Sequence, residues 1–166
     1  MLLQELLAKF GFSYEFAGDI ALFLIFIMIS IGFGLFIGRF KLVNVLINIY
    51  ISIAILSVIP EVILGFHDNA NIFLFFIMIL ILSLADNNLF DIHISGSGNS
   101  FFWRLFLMSF FEMGLIFSVV ISMLPKKLML EYVTPEAYSF FASEYAGLLW
   151  MIVPLIFLVF INKNQK

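Results

Sequence analysis

Long apolar stretches separated by short polar breaks organise the whole chain. Residues 20–37 are almost continuously apolar, and so are residues 42–64, with only Gly38-Arg39-Phe40-Lys41 between them. A helix that crosses about 30 Å of hydrocarbon needs about 20 apolar residues. Each stretch therefore predicts a membrane span, and the four-residue break predicts a tight antiparallel hairpin. The third stretch, residues 72–85, has an uninterrupted apolar core of about 14 residues, or about 21 Å of helix. It fits a tilted short span, a re-entrant element or a helix lying within the bundle.

The polar breaks place the other elements. Residues 1–12 place Leu2, Leu3, Leu6, Leu7 and Phe10 at helical spacing, with Gln4, Glu5 and Lys9 between them. That pattern predicts an amphipathic helix in the membrane interface, too short to span. It is not a signal peptide, since Glu15 and Asp19 precede the apolar run and no small-residue cleavage site follows. Residues 86–100 form the main loop and hold the tether Ser95-Gly96-Ser97-Gly98. A fourth span covers residues 101–124 and stops at Pro125-Lys126-Lys127. Thr134-Pro135-Glu136 then starts a helix, with Thr as N-cap, Pro in the first turn and Glu at the positive end of the helix dipole. It is expected to run through an interfacial stretch into a fifth segment, 135–161 overall. Tyr132, Tyr138, Tyr145 and Trp150 suit an aromatic belt at the membrane surface. The predicted fold is a single all-α domain over residues 1–166. It is a polytopic transmembrane helix bundle of four to five segments with interfacial amphipathic helices.

Composition agrees with the pattern. The apolar fraction is 64% and the charged fraction 11%, against about 45–50% and about 25% for an ordinary soluble domain. A soluble domain of this size cannot hide so much apolar surface. The net charge of −3 leaves no basic patch for a phosphate backbone, so no nucleic-acid partner is expected. There are 0 cysteines, which excludes disulfides, thiolate catalysis and cysteine-based metal sites. Phe occurs 23 times. The simplest account is base composition acting on a lipid-facing surface, and the rival is a ligand-binding aromatic cluster.

Charge also sets an orientation. Glu15 and Asp19 precede the first span, while Arg39 and Lys41 follow it. The positive-inside rule puts Arg39 and Lys41 in the cytoplasm and the N-terminus outside. If all five segments span, Lys163 and Lys166 end inside and Lys126 and Lys127 lie outside. If the third does not, those pairs trade places. The five-segment arrangement is the expectation.

Lipid tails provide no hydrophobic drive between helices, so small residues that permit close approach matter. Three rows occur: Gly34 and Gly38, with Gly32 nearby; Gly114, Ser118 and Ser122; and Ser139, Ser143 and Gly147. Asn44 and Asn48 share a face one turn apart and are suited to hydrogen-bond across helices. Pro60 and Pro154 are expected to kink their helices and free backbone carbonyls.

Ionisable groups inside a membrane are costly, and each calls for a functional hypothesis. Glu112 lies near the middle of the fourth segment, Arg104 two turns earlier, and Glu61 after Pro60 at the far end of the second. Glu112 reads either as a protonatable carboxyl lining a polar path or as a carboxyl hydrogen-bonded to a neighbouring Ser, Asn or Arg. Glu61 is near enough to a helix end to reach interfacial water. Arg104 reads as an anchor that snorkels to the interface. An Arg104–Glu61 ion pair requires both at one depth, which happens only if the third segment does not span. His67-Asp68 and Asp91-x-His93 have no zinc-site spacing and read as loop residues. No nucleotide fingerprint, catalytic triad or GxSxG occurs, so neither an enzyme nor a cofactor or metal site is expected.

Three features together resemble the colicin V production protein family. They are the hairpin Gly32-Phe33-Gly34-Leu35-Phe36-Ile37-Gly38-Arg39-Phe40-Lys41, the late span with Glu112-Met113-Gly114 after a Gly/Ser-rich loop and an Arg, and the final Pro-containing stretch that passes from amphipathic to apolar. The order is similar over most of the chain. The chain departs in having little positive charge near the hairpin and an extended last span. The resemblance implies a small bacterial inner-membrane protein linked to toxin secretion or envelope homeostasis, with no catalytic residue to carry over. The function expected is therefore a scaffold or accessory role, with the lipid bilayer, other copies or other membrane proteins as partners. The alternative is a small transporter or channel subunit that uses Glu112; a holin-like pore needs fewer segments.

Overall fold

The structure, a computed structural model, describes residues 14–38, 41–60, 70–85, 99–131 and 133–163. Within them every regular element is a helix. These are α1 (Tyr14–Ile37), α2 (Leu42–Val58), α3 (Ala70–Ala85), α4 (Asn99–Met123), α5 (Lys126–Met129), α6 (Pro135–Ala142) and α7 (Glu144–Lys163). Three stretches are long and apolar enough to cross a membrane: Ile20–Ile37, Phe102–Met123 and Glu144–Ile161. The expected interfacial helix 1–12 and Glu61 lie outside the described residues, as do His67, Asp68, Asp91 and His93.

α4 is the central element. Its apolar window is 56% buried, against 22% and 17% for those of α1 and α7. The two flanking helices turn large apolar side chains outward, including Met28, Leu35 and Phe36 on α1 and Ile156, Val159 and Phe160 on α7. An exposed surface of that kind suits lipid.

Paired contacts fix the directions of the long helices. Gly34 of α1 faces Ser109 and Leu105 of α4, while Phe26, two turns earlier, packs on Phe110 and Phe117 at 5.1 and 5.4 Å between ring centres. Going back along α1 means going forward along α4, so the two are antiparallel. Gly147 of α7 approaches Ser118, Trp150 seats on Gly114, and Phe157 meets Phe111 at 5.2 Å. α7 is thus antiparallel to α4 as well. The C-terminal ends of α1 and α7 lie at the end of the bundle where α4 begins.

α1 stops at Gly38, whose φ of +74° is a left-handed conformation that side chains with a Cβ rarely take. Its N–H donates to the Gly34 carbonyl at 3.0 Å, the usual cap of a helix that ends on glycine. Lys41 N–H donates back to the Gly38 carbonyl, and α2 starts at once. Gly38 was expected to pack against another helix. It does not: nothing lies within 4 Å of where its Cβ would be.

α2 and α3 form the second part. At 17 and 16 residues they measure about 25 Å, short of a full hydrocarbon core. α2 stops at Val58, ahead of Pro60, and residues 61–64 of the expected second segment lie outside the described residues. Proline pushes the residue before it out of helical geometry, and Ile59 has ψ of 124°. Leu42, Leu46 and Ile49 of α2, Phe75 of α3, and Met108, Leu115 and Val119 of α4 share one apolar cluster.

One expected helix is two. α6 starts as predicted, with Thr134 Oγ1 accepting from Ala137 N–H at 3.2 Å, Pro135 next and Glu136 in the first turn. It then breaks at Ser143, which has ψ of 153°. The Ser143 hydroxyl oxygen accepts from Ala146 N–H and caps the start of α7.

Candidate functional site

Among the described residues, Glu112 is the charged-type side chain that the fold buries. It is 0% exposed. It shares an α4 face with Met108, Leu115 and Val119, at the i±3, i±4 and i+7 positions that stack on one side of a helix. That face belongs to the cluster with α2 and α3. The opposite faces of α4 carry Gly114 and Phe110, turned toward α7 and α1. Both carboxyl oxygens lack a hydrogen-bond partner among the described residues. The expected Ser, Asn or Arg partner is not found there: the nearby Ser109 hydroxyl donates to its own helix, to the Leu105 carbonyl at 2.8 Å.

α2 brings further polar groups into the same cluster. Asn48 is 1% exposed, and both polar atoms of its side chain lack a partner among the described residues. The cross-helix hydrogen bond foreseen for Asn48 is therefore not made there. Ser52 is buried one turn on and donates to the Asn48 backbone carbonyl at 2.7 Å. Asn44 is buried one turn back. Tyr50, on the other flank of α2, lies within electrostatic reach of Glu112. Its hydroxyl donates to the Met151 carbonyl of α7. Pro154, inside the continuous helix α7, has no N–H for the Trp150 carbonyl, next to that of Met151. An unpartnered buried polar group costs about 1–3 kcal/mol. Glu112 and Asn48 carry four such atoms, so apolar packing elsewhere must hold the cluster closed.

Arg104 sits in the first part of α4, partly buried, and Phe102 and Trp103 beside it are exposed. It is two turns from Glu112. Arg104 lies at the end of the bundle where α2 begins. No metal-holding group of His, Asp or Glu occurs among the described residues.

The small residues divide by role. A Cβ on Gly34 would collide with the Ser109 hydroxyl, and one on Gly114 would fall inside the Trp150 ring. Gly147 is in ordinary contact with Ser118 Oγ, at 3.9 Å. Ser118 donates to the Phe141 carbonyl at 2.6 Å and ties α4 to α6. Ser122 is exposed and bonds within its own helix, to the Val119 carbonyl. Ser143 is a helix cap.

An aromatic cluster is the feature that sequence reasoning placed wrongly. Trp150 was assigned to the surface belt. It is 8% exposed, stacks on Phe141 at 5.6 Å, and its indole N–H donates to the Phe140 carbonyl at 3.1 Å. Phe26, Phe110 and Phe140 complete the surround. Tyr145 is 84% exposed. Beside the cluster α1, α4 and α6 leave an apolar groove of about 490 Å³, lined by Leu22, Ile25, Ile29, Val120, Leu124 and Met129 among others. The signal for Trp150 was Gly114: a glycine in mid-helix marks a place where something large comes close.

No family model matches the chain, and no curated protein or solved structure matches it.

Proposed function

We propose that this protein is a polytopic integral membrane protein of the bacterial inner membrane with a scaffold or accessory role, of the kind implied by its resemblance to colicin V production proteins. The observation that carries this reading is the seam of α1, α4 and α7. Gly34 against Ser109 and Gly114 under Trp150 fit three long apolar helices together by shape, as a rigid membrane platform requires.

The antiparallel order of α1 and α4 supports five crossings. α1 ends where α4 begins, so α2 and α3 together must return the chain to that end. One crossing out and one back does so, as does a pair that does not cross at all; a single crossing does not. This order gathers Lys41, Arg104 and Lys163 toward one end and leaves Lys126 and Lys127 toward the other. The more basic end is cytoplasmic by the positive-inside rule. At about 25 Å, α2 and α3 cross by local thinning of the bilayer or by shielding against α4.

The test is complementation of a deletion strain. Gly34→Leu is expected to weaken rescue of the envelope phenotype and to lower the amount of assembled protein, while Glu112→Gln keeps both. Failure of Glu112→Gln at normal protein level overturns the scaffold reading. It then favours the second reading, a small transporter or channel subunit working through Glu112, which the carboxyl's full burial without a partner supports. That reading predicts pH-dependent flux in liposomes, lost in Glu112→Gln.

A further inference from the structure

We propose that Glu112 is a proton-binding site: the closed bundle holds it as a neutral carboxylic acid, and it exchanges its proton when α2 and α3 part from α4. The inference deepens the second reading by naming the ligand, and it also stands without transport.

The geometry argues for a proton rather than a metal cation. Calcium takes about six to eight oxygen ligands, whereas Glu112 brings the single carboxyl to a cluster of apolar side chains such as Leu46, Ile49, Met108 and Leu115 with Asn48 and Ser52 of α2. Among the described residues, the ionisable groups on the surrounding elements are Tyr14, Glu15 and Asp19 at the start of α1; Lys41 before α2 and Tyr50 on it; Arg104 on its own helix; Glu136 and Tyr138 on α6; and Glu144, Tyr145 and Lys163 at the ends of α7. Ile20–Ile37 of α1 and all of α3 have none. Tyr50 is an acid already committed as a donor to Met151. An isolated carboxylate in such a place is far costlier than the neutral acid.

Levels along the bundle place other polar groups near the site. Gly34 faces Ser109 and Leu105, and α2 begins just beyond Gly38. Counting about 1.5 Å per residue from there sets Asn48, Tyr50 and Ser52 within about one turn of the level of Glu112. Asn48, fully buried and unpartnered on α2, is the second orphan in the same cluster. A polar cluster of this kind gains most when water or a proton reaches it.

The opening side follows from what locks each face of α4. Toward α1 and α7 the lock is steric, glycine against side chain. Toward α2, among the described residues, no glycine is locked under a side chain; the contact is made by side chains of the apolar cluster, and α2 is tied to α7 by the Tyr50 hydroxyl. The α2 side therefore opens at lower cost, as local openings follow the weakest packing.

Infrared spectroscopy of the full chain in liposomes tests this. The carbonyl stretch of a protonated carboxyl is expected at neutral pH and is lost in Glu112→Gln. It is kept, shifted, in Glu112→Asp, which guards against a variant that fails to fold. In heavy water the band should shift slowly, and Tyr50→Phe should speed that exchange at least tenfold. Absence of the band in folded protein at neutral pH overturns the site, and an exchange rate unmoved by Tyr50→Phe overturns the opening of α2. Proton flux measured in parallel separates the two ideas: a band without flux supports the site and removes the transport reading.

Discussion

Two faces of one helix are built on opposite principles. Toward α1 and α7, α4 presents glycine and serine to bulky partners, and contact is fixed by shape: Trp150 over Gly114, Ser109 against Gly34. Toward α2 and α3 it presents Met108, Leu115 and Glu112 to a surface that includes Asn48 and Ser52. The first face has its polar side chains satisfied, Ser109 by the Leu105 carbonyl and Trp150 by that of Phe140. The second includes Glu112 and Asn48, whose four side-chain polar atoms lack a partner among the described residues. Stability resides in the first face, and unspent polar capacity in the second. The difference suggests that α1, α4 and α7 are the platform, and that α2 and α3 are the part placed to respond.

That contrast predicts a gradient of mutational effects, measured by unfolding in mild detergent. Trp150→Ala removes the centre of the aromatic cluster and an indole hydrogen bond, and is expected to cost about 3–5 kcal/mol. Gly34→Leu forces Ser109 aside and is expected to cost about 1–3 kcal/mol, with some loss of assembled protein. Asn48→Leu removes an unpartnered amide from the apolar cluster and should be neutral or stabilise by about 1 kcal/mol; a loss above that size would mean Asn48 is satisfied, and the contrast would fail. Gly32→Leu should change little, within about 0.5 kcal/mol, since nothing lies within 4 Å of its Cβ position.

How much of this was legible in the chain depends on what each signal encodes. Thr134-Pro135-Glu136 named a helix start because capping is local chemistry, and the start is where it was read. Gly34 and Glu112 stood out because small or ionisable residues are rare inside apolar helices. The faces of the helices were not legible. In a water-soluble protein polarity marks the outside of a helix, but here the inner and outer faces of α1 and α7 are both apolar. Trp150 therefore looked like a surface residue, and only the fold brings Gly114 beneath it. The break at Ser143 had neither Pro nor Gly to announce it. Gly38 was read as a packing residue because its spacing from Gly34 fits one; its positive φ makes it a helix end. Pro60 likewise stops α2, since the residue before a proline leaves helical geometry whether or not the apolar pattern continues.

The proposed arrangement of five antiparallel crossings, in which α3 would return the chain to the end where α1 finished, is tested most directly by cysteine accessibility. The chain has 0 native cysteines, so single substitutions report alone. In sealed, oriented vesicles an impermeant thiol reagent should reach Lys41→Cys, Ser95→Cys and Lys163→Cys from one side and Lys127→Cys from the other. Labelling of Ser95→Cys from the side opposite to Lys41→Cys would contradict the account.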